Sequence, residues 1–180
     1  LGVNAQQSSQ FELSDFLTDN PVLDKKVDSI FKTLDDTAVV AQLIMPAAGR
    51  LGISATEIKS LIKNRQIGGM ILLNGTKDQF KSWTTLYESM NKEIGNLPFL
   101  YSADAEPTLV NRKMTGSTPV KKSTLLKTTE DVTICAETIS NDLNEVGINY
   151  NFAPVVDVSA NKTVGYRGFG SNPENIKRYS

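Results

Sequence analysis

Residues 147–170 read GINYNFAPVVDVSANKTVGYRGFG, an apolar run that closes on Asp157 and opens into a glycine-rich loop carrying Arg167. A short apolar run of this kind reads as a strand buried on both faces, and the expected strand covers Ile148 to Val158. A buried strand with a carboxylate at its C-terminal end and a cation just beyond is how a parallel α/β barrel builds its active face.

Two more apolar runs precede it, Ile67 to Leu73 and Phe99 to Ala103. Helical patterns separate the three runs. Phe80, Trp83, Tyr87, Met90 and Ile94 recur at helical spacing, as on a core-facing helix that Gly95 ends. Val132, Cys135, Ile139, Leu143 and Val146 form the next stripe; Thr128 and Asp131 resemble a capping box before it, and Gly147 stops it. Upstream, Pro21 opens a helix carrying Val27, Ile30, Phe31 and Leu34. Asp35-Asp36 offers a cap for a helix from Val39 to Met45, stopped by Pro46, and Ser54 caps one carrying Ile58, Leu61 and Ile62. Asn172 followed by Pro173 starts another helix. Alternating strands and helices predict right-handed βαβ units and a parallel sheet. The expected fold class is α/β, the first part of a TIM-type (β/α)8 barrel. A whole barrel takes about 250 residues, so these 180 residues would be a piece of something longer.

The composition narrows the chemistry. Of the 180 residues, 39% are hydrophobic and 22% charged, with net charge −1. There is no basic run to attract nucleic acid and no stretch near the roughly 18 apolar residues of a membrane span. The single Cys135 excludes an intramolecular disulfide and reads as a core thiol. The chain has no His, which removes the commonest general base and transition-metal ligand. A zinc site, a Ser-His-Asp triad and a Cys-His dyad are therefore poor fits. The first residues lack Met, and Val3-Asn4-Ala5 reads like the small-residue end of a signal peptide. The expectation is an exported protein, periplasmic or extracellular, with residues 1–20 a loose leader remnant and 21–180 the barrel part.

The loop after Ala103 carries Asp104 and Glu106, two apart, which in an extended segment point the same way. A retaining glycosidase pair must flank the bond from opposite sides at about 5 to 5.5 Å. Neighbours on one strand edge rarely bracket a sugar, so Asp104 reads as substrate-orienting, or as part of a solvated loop, rather than as half of a catalytic pair.

These loops resemble a family signature. Residues 152–158 and 167–174 are similar to the FAPVxDV … RSFGxDPE stretch of family 3 glycoside hydrolases, in the branch of β-N-acetylglucosaminidases. Asp104, Glu106, Val110 and Arg112 fit the family's D-x-E-G-G-x-V-x-R loop. The resemblance covers residues 36 to 180 and implies that Asp104 and Arg112 bind the sugar of the −1 subsite, with Arg167 a further sugar ligand. Asp157 has two readings: a sugar ligand, or an acceptor of backbone amides that holds the loop. The nucleophilic Asp and the His-containing acid/base loop would follow Ser180, leaving no catalytic residue in this chain. The implied partners are a carbohydrate, an N-acetylglucosaminide or cell-wall-type glycan, and the C-terminal remainder of the barrel. Departures are Pro107-Thr108 for Gly-Gly, Tyr166 for Asp and Gly168 for Ser. The resemblance thus implies a glycoside hydrolase that removes terminal β-linked N-acetylhexosamine by a retaining route, a chemistry for which no metal or cofactor is expected. The rivals are β-glucosidase-type specificity, a catalytically inactive carbohydrate-binding or scaffold module, and an unrelated βαβ metabolite-binding domain.

Overall fold

The structure, a computed structural model, describes residues 13–180; the leader-like Val3–Ala5 segment lies outside them. The chain divides into two compact units, one ending at Val40 and one spanning Ala41–Ser180. The first holds a single helical turn at Leu13–Phe16 and helix α1 (Pro21–Phe31). Asn20 caps α1 by accepting the N–H groups of Val22 and Leu23, with Pro21 at the first position. Helix α2 (Asp36–Ala41) spans the division between the units.

The larger unit is built on four parallel strands in the order β1 (Ala47–Ala48), β2 (Gly69–Leu72), β4 (Leu100–Ala103), β6 (Tyr150–Asn151). The register sets Ala47 against Ile71, Met70 against Tyr101 and Ser102 against Tyr150. Helices α3 (Ala55–Lys63), α4 (Lys77–Glu93) and α6 (Thr129–Glu145) connect them. A short parallel pair, β3 (Gly75–Thr76) and β5 (Met114–Thr115), lies beyond the main strands. Capping boxes at Ser54/Glu57 and Thr76/Gln79 start α3 and α4, and Thr128 accepts the Asp131 N–H to start α6. Ile58, Ile62, Met70, Phe80, Tyr87, Tyr101, Ile139 and Leu143 form one buried core, as the helical stripes and apolar runs require. Close strand approach is built in at Gly69, where a Cβ would lie 2.3 Å from the Leu100 carbonyl oxygen. Among the described residues no helix is long and apolar enough to cross a membrane.

Three expectations need correction. The third strand does not reach Val158: pairing ends at Asn151, and Val156 and Val158 stand exposed. Pro154 has no N–H to continue a ladder. α2 stops at Ala41 rather than Met45, and the next residues lead into β1, an Ala-Ala pair with no sequence signal of its own. The glycine-rich segment before Gly168 holds a short helix, α7 (Lys162–Arg167), capped by the Asn161 side chain.

One ion pair ties the outer helices together. Lys77 at the start of α4 reaches Asp142 and Glu145 of α6, each at 2.7 Å. Asp142 also accepts the Thr118 N–H at 2.5 Å and its hydroxyl at 3.0 Å. Burial alone would raise the Asp142 pKa, but Lys77 and Thr118 bring it below the ordinary carboxylate value. Asp142→Asn should therefore cost about 1–3 kcal/mol at neutral pH. A depressed pKa gives stabilisation that is complete above the ordinary value of about 3.9 and lost as pH falls through the folded value. Urea melts should show a large penalty at about pH 7 and a much smaller one near pH 3; equal penalties would contradict this account.

Candidate functional site

Parallel pairing brings the C-terminal ends of β1, β2, β4 and β6 to one rim, where ligands bind in α/β folds. β4 ends at Ala103, so Asp104 is the first residue beyond it. Asn151, at the end of β6, accepts the Ala105 N–H through its side chain at 3.0 Å and so fixes the loop next to Asp104. The Glu106 carbonyl accepts the N–H groups of Leu109 and Val110 and starts the single turn α5 (Val110–Lys113).

That turn carries Lys113 back toward the strand end. Its ammonium donates to the Asp104 carbonyl at 3.0 Å, to Asp104 Oδ2 at 2.6 Å and to Glu106 Oε2 at 2.9 Å. Three donors meet three acceptors, so Lys113 has nothing left for a ligand. Arg167, the last residue of α7, donates Nε–H to Glu106 Oε1 at 2.8 Å and Nη2–H to Asp104 Oδ2 at 3.3 Å. α7 packs closely on the segment after β6. A Cβ on Gly165 would lie 2.7 Å from the Ser159 carbonyl oxygen, and one on Gly168 would lie 2.8 Å from that of Val155. Those two glycines allow Arg167 to approach the rim.

The two carboxylates have different positions. The Glu106 side chain is 0% exposed with both oxygens bonded. It anchors the loop and cannot face a substrate. The Asp104 side chain is 29% exposed, and both its cations share Oδ2, leaving Oδ1 without a hydrogen bond among the described residues. Partial burial would raise the Asp104 pKa, but the Lys113 hydrogen bond and charge, followed by the neighbouring Glu106 carboxyl and the Arg167 charge, bring it below the ordinary value. Asp104 is thus a charged acceptor over the working range of most enzymes. Arg167, with its side chain 35% exposed, has no hydrogen bond from Nη1 among the described residues, and its pKa is raised first by the Glu106 hydrogen bond. An acceptor beside a forked donor at an open rim suits vicinal hydroxyls or an amide carbonyl.

Of the residues expected from the sequence, Asp104 and Arg167 meet directly. Asp157 is exposed and acts on Arg167 through its charge alone. Arg112 stands outside the cluster, exposed and without a side-chain partner among the described residues. Adjacent residues on a helical turn diverge by about 100°, and Lys113 rather than Arg112 faces the carboxylates. Sequence reasoning missed Lys113. The available signal was a Lys one helical turn beyond a carboxylate pair, which reads equally well as a solvated residue. Among the described residues no group of three His, Cys, Asp or Glu side chains converges on a metal site.

Comparison with known proteins identifies the family to which this fold belongs. Residues 33–180 match the glycosyl hydrolase family 3 N terminal domain, and the chain belongs to that family. It is 27% identical over 137 residues to beta-hexosaminidase LpqI of Mycobacterium tuberculosis, covering 70% of this chain and 34% of that protein. The fold superposes on a glycoside hydrolase family 3 beta-N-acetylglucosaminidase from Paenibacillus sp. str. FPU-7 with TM-score 0.72 and 28% identity, over 81% of this chain and 29% of that one. A beta-glucoside phosphorylase, BglX, shares the fold at TM-score 0.73 and 19% identity, over 89% of this chain and 29% of that one. The chain spans about a third of the length of these relatives. Its four parallel strands and outer helices are therefore the first part of a family 3 barrel.

The division of labour between the carboxylates is testable in the full-length protein. Glu106→Ala leaves two cations short of a buried partner and should cost about 3 kcal/mol of stability. Denaturant titration measures it. A variant that melts like wild type but loses all activity would instead make Glu106 a reacting group.

Proposed function

We propose that the full-length protein is a glycoside hydrolase that removes terminal β-linked N-acetylhexosamine with retention of configuration, and that this chain supplies part of its −1 subsite. The observation that carries the reading is the Asp104–Arg167 pair at the C-terminal rim, with Asp104 Oδ1 and Arg167 Nη1 open to a ligand. Membership of the family and the hexosaminidase-type relatives support the reaction class.

In this mechanism Asp104 accepts a sugar hydroxyl, and Arg167 donates to a neighbouring hydroxyl or to the acetamido carbonyl. Such charge-assisted bonds are worth about 1.5–3 kcal/mol each. Glu106 and Lys113 hold the two groups at fixed separation, so less ordering is left for the bound state. The nucleophile and proton donor, on opposite faces of the bond, would come from the part of the protein that follows Ser180. Asp157 tunes Arg167 by its charge. We also propose that the protein is exported, on the strength of Val3-Asn4-Ala5.

Full-length protein should release nitrophenol from a nitrophenyl N-acetyl-β-glucosaminide faster than from the matching β-glucoside, with the β-anomer formed first by NMR. The isolated 180 residues should release none. Asp104→Asn should lower kcat/KM by about 10- to 100-fold, one charge-assisted hydrogen bond. A glucoside preference would contradict the hexosaminidase assignment. Sugar binding without turnover would make the protein an inactive carbohydrate-binding module.

A further inference from the structure

Thr108 stands two residues beyond Glu106, in the loop that carries both carboxylates, and its hydroxyl reaches across to α7. Thr108 Oγ1 lies 2.9 Å from the Tyr166 carbonyl oxygen, and Ser123 Oγ lies 2.7 Å from that of Arg167. Carbonyl oxygens only accept, so each contact uses the single proton of its hydroxyl. The Ser123 N–H then donates to Thr108 Oγ1 at 3.1 Å, and the two hydroxyl oxygens are 3.1 Å apart. Ser123 is buried, 2% exposed, in a short helical turn at Ser123–Leu125. Lys122 adds its ammonium 5.3 Å from the centre of the Tyr166 ring.

The final carbonyls of a helix have no partner within it. α7 is only six residues long, and the two hydroxyls satisfy its last two carbonyls. The Val164 carbonyl is met by the Gly168 N–H at 3.1 Å. The helix end that bears Arg167 is therefore held by side chains from the opposite loop. This is where the chain has Thr in place of the second Gly of the family loop, and a glycine has no hydroxyl to give.

We propose that Thr108 and Ser123 are positioning residues that aim the Arg167 guanidinium across the cleft at Asp104. The ion pairs of Arg167 fix its tip, and the hydroxyl pair fixes its backbone. Together they set the spacing between the acceptor at Asp104 and the free donors at Arg167 before a sugar arrives. The catalytic consequence rests on the glycosidase reading above; the placement of Arg167 does not.

The test uses full-length protein and the aryl β-glycoside, N-acetylglucosaminide or glucoside, that wild type hydrolyses better. Thr108→Val keeps the shape and removes the hydroxyl. It should lower kcat/KM about tenfold, mostly through KM, and Thr108→Ser should stay within about twofold of wild type. Ser123→Ala should resemble Thr108→Val. Asp142→Asn, which weakens a network elsewhere, should reduce stability without moving kcat/KM. The crystal structure of Thr108→Val should show Arg167 withdrawn from Glu106 and Asp104. An active enzyme whose KM and kcat ignore Thr108→Val overturns the proposal, as does a variant structure with Arg167 in place. If wild type hydrolyses neither glycoside, the glycosidase reading fails, and the variant structure alone decides the clamp. If Thr108→Val does not fold, Ser123→Ala is judged by the same two readouts.

Discussion

A carboxylate removed from water costs several kcal/mol unless cations and hydrogen bonds replace its hydration. Glu106 is in that position, with no exposed surface and one oxygen each for Lys113 and Arg167. Lys113 comes from the turn that the Glu106 carbonyl itself begins, and Arg167 from a helix 61 residues later. One buried charge thus gathers the β4 loop and α7 into a single cluster. Asp104 gains from it: both cations already stand in place, and they bond to only one of its carboxylate oxygens. Glu106 holds the cluster together, and Asp104 is left able to meet a ligand.

The sheet delivers the pieces of this cluster to one place. β4 and β6 pair directly, and Asn149 extends their contact by accepting the Tyr101 N–H and donating to the Phe99 carbonyl. Asn151 likewise accepts the Ala105 N–H at the rim. Side-chain amides therefore carry on, beyond two residues of β6, the alignment that a longer ladder would provide elsewhere. The segment after β6 leaves the sheet at Pro154 and runs beneath α7, close against Gly165 and Gly168. Small residues at those two positions bring Arg167 within hydrogen-bond reach of the carboxylates in the loop after β4.

Much of this was legible in the residues. The runs 67–73 and 99–103 became β2 and β4 because continuous apolar residues suit a strand covered on both faces. Ser54, Thr128, Asn172 and Pro21 start helices as their chemistry dictates. The place of Asp104 after a strand marks it as a site candidate, whereas Arg167 stands out only through the family resemblance of its loop. What escaped the reading depends on the third dimension. Two alanines after Pro46 carry no strand signal until β2 lies beside them. Phe152 to Val158 looks like more strand, yet Pro154 ends the ladder. Choosing Lys113 over Arg112 needs the phase of a one-turn helix, and the roles of Thr108 and Ser123 need a contact across 58 and 44 residues.

The most direct measurement is a crystal structure of the full-length protein with N-acetylglucosamine bound. The account predicts the sugar at the C-terminal rim of the sheet. Asp104 Oδ1 and the free Arg167 nitrogen should lie within hydrogen-bond distance of it, while Glu106 stays buried between Lys113 and Arg167. A sugar held elsewhere, or one that touches Glu106 while Asp104 remains unengaged, would contradict it.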